Sequence, residues 1–163
     1  MGYAESRLES GARELLQVRV SWGYRMSVTQ LAVFIENKPG RLAAVTRILG
    51  EAQVNIRGFS IADTEDYGIL RLLVDNEEMA RKVLRENSFM VHENQVVLAQ
   101  VPDRPGGLAE VLDIIAEMEI NVEYTYATAN SLIAFGMEQR ERGEQALISH
   151  GVRVLSNPEL SLL

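Results

Sequence analysis

Asn37-Lys38-Pro39-Gly40-Arg41-Leu42-Ala43 and Asp103-Arg104-Pro105-Gly106-Gly107-Leu108-Ala109 are two versions of one phrase, set 66 residues apart (105 − 39). Outward from both, the register holds: Val45 matches Val111, Ile48 matches Ile114, Asn55 matches Asn121 and Ile56 matches Val122. A match kept in one register over about twenty positions marks an internal duplication. Past that point the offset falls to about 64 if Ile69-Leu70-Arg71-Leu72 is set against Ile133-Ala134-Phe135-Gly136, which predicts a tighter connection in the second copy.

Each copy reads as strand, helix, strand, strand, helix, strand. In the first, residues 30–36 are rich in apolar and β-branched residues and stop at the Asn37 to Gly40 turn signal. Leu42, Val45, Ile48, Leu49 and Ala52 then recur at helical spacing and predict one apolar helix face. Two strands follow, Val54 through Ala62 and Tyr67 to Val74, joined by the polar turn Asp63-Thr64-Glu65-Asp66. Asp75-Asn76 offers an N-cap to a helix carrying Met79, Val83 and Leu84, and Met90 to His92 closes the unit as a short strand. The second copy repeats this with Val96 to Val101, a helix from Gly106 to Met118, strands near 120–127 and 132–137, a helix near 140–149, and Val152 to Leu155. Two consecutive βαββαβ units are therefore expected, an α+β ferredoxin-like arrangement of antiparallel sheets with helices on one face. Residues 26–94 form the first unit and 95–163 the second.

The first 25 residues stand outside the repeat. Leu8, Leu15, Leu16 and Val18 suggest a weakly amphipathic helix, but Gly2, Gly11 and Gly23 interrupt the segment. Two readings stay open: Met26 as the true start behind a mis-assigned leader, or a genuine flexible or partner-binding arm.

Of 163 residues 47% are apolar, enough for a real core, and the net charge is −7. An acidic chain lacks the clustered Lys and Arg that draw a protein to phosphate backbones or anionic lipid, so neither nucleic acid nor membrane is an expected partner. With no cysteine there is no disulfide framework or thiolate site, and no apolar run reaches bilayer length, so a cytoplasmic protein is expected. P-loop, dinucleotide-fold, zincin and nucleophile-elbow motifs are missing, and no cofactor, metal or catalytic residue is expected. His92 and His150 are far apart and read as surface residues.

A strand followed by (Asn/Asp)-x-Pro-Gly-x-Leu-Ala, an apolar helix, and Asn-Ile or Asn-Val opening the next strand resembles the ACT domain. The likeness covers Met26 to about Ser156 in two copies, and the join from Val96 through Val111 is similar to stand-alone tandem ACT proteins. The resemblance implies side-by-side pairing of units into a longer sheet, amino-acid effectors bound where two units meet, and a free-standing pair that regulates some other protein, such as a metabolic enzyme. A homodimer is expected.

The residues support such a ligand independently of the family. A helix first turn after a Pro-Gly loop exposes unpaired N–H groups at the positive end of the dipole, which suits a carboxylate. Pro39 and Pro105 pre-set the backbone, while Gly40, Gly106 and Gly107 keep side chains out of a ligand's way. Asn37 and Asp103 carry oxygens able to accept from an ammonium group, Asp103 the more strongly. Arg41, Leu42 and Leu108 stand in the first turns. Asn55, Ile56, Asn121 and Val122 open the following strands, at an effector interface by resemblance. Tyr124 and Tyr126 share one strand face, opposite Glu123, and either line a pocket or pack the sheet. Each of these residues also has an ordinary turn, cap or packing role. The expected function is therefore a non-catalytic, amino-acid-binding regulatory protein; the alternative is an assembly module of the same fold with no small-molecule ligand.

Overall fold

The computed structural model describes residues 26–63 and 66–163; the leader, and Thr64 and Glu65 of the first hairpin turn, lie outside the described residues. In chain order the elements are β1 (Val28–Glu36), α1 (Arg41–Glu51), β2 (Ile56–Asp63), β3 (Tyr67–Val74), α2 (Glu77–Glu86), β4 (Met90–Gln100), α3 (Gly107–Glu117), β5 (Val122–Ala127), a 3-10 turn (Ala129–Ser131), β6 (Leu132–Met137), α4 (Arg140–Ser149), β7 (Val154–Leu155) and α5 (Asn157–Ser161). Both expected βαββαβ units are present. The sheet runs β2-β3-β1-β4-β6-β5, with β7 also paired to β4.

Where two strands were expected, at 90–92 and from Val96, there is one. The polar run Glu93-Asn94-Gln95 does not break β4, because the ladder uses backbone groups: Glu93, Asn94 and Gln95 pair with Leu31, Gln30 and Thr29 while all three side chains stay exposed. The first part of β4 pairs with β1, and Val97 onward pairs with β6 and β7. One strand thus serves both copies.

Strand register also corrects the repeat alignment. Leu31 pairs with Leu72 and Val97 pairs with Phe135, so an offset of 66 (97 − 31) on the first strand becomes 63 (135 − 72) on the third. An offset of 64 would turn the core residue Leu70 into Ala134, which faces the opposite side of the sheet. Because side chains alternate with period two, a one-residue slip exchanges the faces. Both copies keep a bulge at the same place, Ile56/Gly58 in β2 and Val122/Tyr124 in β5.

Alternation builds three cores. Leu31, Val33, Leu70 and Leu72 meet Val45 and Leu49 of α1 and Leu84 of α2. Val97, Ala99 and Phe135 meet Val111 and Ile115 of α3 and Leu147 of α4. Val45 and Leu49 correspond to Val111 and Ile115 at the 66-residue offset, and all four are buried. The intervening residues Val28, Leu73, Val96, Leu98 and Leu132 face away from α1–α4 and form a third cluster with Tyr126, Leu155 and Leu160 of α5. This cluster, together with the approach of β2 to β5, shows that the sheet curls so that the faces of the two units opposite α1–α4 pack on each other. Removing each such leucine from water contributes about 1.5–3 kcal/mol.

Sequence reading did not anticipate α5. Ser156-Asn157-Pro158-Glu159 is a capping box with proline in the first turn: the Ser156 N–H and hydroxyl both donate to Glu159 Oε2 at 2.9 Å. The helix clasps the first unit. Asn157 Oδ1 accepts from the Thr29 N–H at 2.7 Å, its Nδ2 donates to Thr29 Oγ1 at 3.0 Å and Glu77 Oε1 at 3.1 Å, and the Ser161 hydroxyl donates to the Asp75 carbonyl at 2.9 Å.

Candidate functional site

The two Pro-Gly loops have the same local conformation for a backbone reason. Gly40 and Gly106 precede α1 and α3 with φ of 85° and 84°, a left-handed setting that L side chains avoid. A Cβ on either would meet nothing within 4 Å, so it is the sign of φ, and not crowding, that calls for glycine. Gly107 differs: its Cβ would lie 2.1 Å from the Pro102 carbonyl oxygen, inside a tight loop. Neither helix has a side-chain cap. The first turn of α1 carries no acid, whereas that of α3 carries Glu110, which pairs with Arg104 at 2.7 Å. The positive end of α1 is therefore the less compensated of the two.

The remaining candidate residues scatter. Asn37, Pro39, Asp103, Pro105 and Asn121 are exposed, and the Asn37 N–H donates to the Asp66 carbonyl at 2.9 Å. Arg41 folds back, its guanidinium 4.8 Å from the Phe89 ring centroid and 3.6 Å from Glu36. The Asn55 N–H donates to Asp75 Oδ1 at 2.9 Å, which ties it to the end of β3. Val122 packs on the second core. Tyr124 lies between the units: its ring centroid is 4.1 Å from the Arg71 guanidinium, and its hydroxyl accepts from Gln30 Nε2 at 3.0 Å. Tyr126 donates to Gln30 Oε1 at 2.8 Å, and burial raises its phenol pKa well above the ordinary range.

A cavity of about 430 Å³ opens where the first unit meets the second. Leu42 and Thr46 of α1, residues 56–59 of β2, Leu70 and Leu72 of β3 and residues 127–129 of the second unit line it. Of the candidate residues only Leu42 and Ile56 line it; the second Pro-Gly loop does not. Leu42 and Leu108 occupy equivalent first-turn positions and are 38% and 39% exposed, and of the two it is Leu42 that lines this cavity. Sequence reading missed Arg57, Gly58, Phe59 and Thr128. The signal available was Gly58 inside a strand, which marks a bulge or a close approach. Both occur here: the register jumps from Ile56 to Gly58, and a Cβ on Gly58 would stand 2.5 Å from Thr128 Cγ2.

Residues 26–163 match the family model of the ACT domain pair. The chain belongs to the ACT domain pair family. Protein BT0572 from Bacteroides thetaiotaomicron is 33% identical to this ACT pair, and its crystal structure superposes with a TM-score of 0.80 over 85% of this chain and 98% of that one. The ligand-free regulatory subunit of aspartate kinase from Thermus thermophilus is 18% identical with a TM-score of 0.56, over 74% of this ACT pair and 90% of that chain. The regulatory subunit from Thermus flavus is also 18% identical, with a TM-score of 0.50 and the same coverage. The aspartate kinase subunits share the fold. No curated protein matches the sequence. Among the described residues no helix is long and apolar enough to cross a membrane.

Proposed function

We propose that this ACT pair is a non-catalytic regulatory protein that binds an amino acid or similar small metabolite between ACT units and passes that signal to another protein, such as a metabolic enzyme. The observation that carries the reading is the cavity between α1 and β2 of the first unit and residues 127–129 of the second. Its about 430 Å³ lies in the range of small-molecule sites, and it spans a junction whose packing a ligand is able to bias. Leu42 and Ile56, chosen from the repeat, both lie in its wall. The regulatory subunits among the structural relatives suggest the same kind of role.

A thermal-shift screen of the full chain against the twenty amino acids and related metabolites tests this, because a ligand bound only by the folded state raises the melting temperature by mass action. The expected result is a saturable rise that disappears in Leu42→Trp, which fills the cavity from a half-exposed helix position. Flat curves at millimolar concentration for every compound would overturn it.

One observation favours a second reading, an assembly module without a ligand. Phe59 and Ile61 on the edge strand β2 are 58% and 43% exposed beside Leu42. An open edge of this kind suits a second copy pairing side by side, so we also propose a homodimer. Light scattering distinguishes the two states.

A further inference from the structure

We propose that the cavity takes a small carboxylic acid with an apolar side chain and no ammonium group, a 2-oxo acid for example, and that Arg57 is its anion contact. The proposal rests on the reading of the cavity as the effector site.

Arg57 is the bulged residue of β2. The pairs Ile56 with Val74 and Gly58 with Leu73 leave it without a cross-strand partner, so its side chain is re-aimed by the bulge. That side chain is only 20% exposed. Nη2 donates to the Ser161 carbonyl at 3.2 Å and lies 4.0 Å from Asp75 Oδ2, while Nε is buried without a hydrogen-bond partner. A guanidinium offers five donors in a planar fork that matches a carboxylate.

Among the described residues Arg57 is the only charged one in the lining. The other described lining residues are Leu, Ile, Phe, Ala, Gly and two threonines. Both threonine hydroxyls donate to carbonyls of their own segments, Thr46 to Ala43 at 3.1 Å and Thr128 to Leu132 at 3.1 Å. Asp75, the carboxylate 4.0 Å from Arg57, is not among the lining residues and accepts from the Asn55 N–H. Among the described lining residues an anion therefore finds a cation and an ammonium finds no group of opposite sign, and burying a charge unpaired is unfavourable. A free amino acid brings both charges, and a 2-oxo acid only the one the site matches.

The duplication sharpens the point. The second copy keeps the bulge, between Val122 and Tyr124, but places Glu123 where the first has Arg57. The two copies thus carry opposite charges at this position, and the cation is the one that lines this cavity.

Titration calorimetry of the full chain with three compounds sharing one carbon skeleton tests the proposal: 4-methyl-2-oxopentanoate, L-leucine and 4-methylpentanamide. The expected result is that the oxo acid binds at least tenfold more tightly than either of the others and that Arg57→Gln weakens it at least tenfold. Leucine binding as tightly as the oxo acid would overturn the proposal while leaving the cavity as an effector site. No binding by any of the three, with a flat metabolite screen, would overturn both. Because Arg57 also holds Ser161, Leu42→Trp provides a second arm with the cation intact. It should abolish oxo-acid binding, and unchanged binding there would place the ligand elsewhere and overturn the proposal.

Discussion

The Tyr126 hydroxyl donates to Gln30 Oε1 at 2.8 Å across the face where the two ACT units meet, joining residues 96 positions apart. Gln30 is fully buried and is held on its other side by Tyr124. Tyr126→Phe removes the donor and strands a buried carbonyl, so a stability loss of about 1–3 kcal/mol is expected by urea denaturation. The pH dependence follows from burial, which raises this phenol's pKa in the folded state above its ordinary 10.0. Stability is fully retained below that ordinary value and falls as pH climbs through it toward the folded value, because the unfolded chain ionises first. Tyr126→Phe should lack this alkaline loss. An identical alkaline profile in the two proteins would refute the assignment.

Gly136 and Tyr124 form a cross-strand pair in which glycine makes room for the ring: a Cβ on Gly136 would lie 2.3 Å from Tyr124 Cζ. Gly136→Ala is expected to cost about 1–3 kcal/mol through overpacking. In a Tyr124→Ala background most of that cost should vanish, since the clash is with the ring. A double-mutant cycle with no coupling would show that the glycine answers to something else.

Glu144 is 6% exposed and accepts from the Met26 N–H at 3.2 Å. Burial raises its pKa above 4.5, outweighing the opposing hydrogen bond from Met26. A raised carboxyl contributes stability that is complete below the unfolded value and lost as pH rises through the folded one. Glu144→Gln keeps an acceptor without the charge, so it should match or exceed the native chain near pH 7 and flatten the fall in stability as pH rises above 4.5. A variant clearly less stable than the native chain near pH 7 would mean that the ionised carboxylate is favoured.

Much of this was legible in the residues. The repeated Pro-Gly phrase, the apolar spacing of Leu42, Val45 and Leu49, and the Asn76 cap, whose side chain accepts from the Met79 N–H at 3.0 Å, are local signals with local causes. The capping box at Ser156 is an equally local signal, but it lies past the end of the duplicated pattern. The offset of 64 failed for a different reason, since hairpin register is set by which face each side chain buries, and a strand of mixed Ile, Ala, Phe and Gly does not announce its faces.

Sequence alone thus determined two βαββαβ units and the Pro-Gly loops that lead into α1 and α3, because short-range sterics and hydrophobic period operate within a few residues. Tertiary structure decided that β4 would run unbroken through both copies, that the faces opposite α1–α4 would close over Gln30, and that a cavity would open beside Leu42 and Arg57. Those outcomes depend on contacts between residues some 70 to 130 positions apart, such as Gly58 with Thr128 and Thr29 with Asn157. In a duplicated chain the two copies begin with equivalent local rules, and only their packing against each other makes them different.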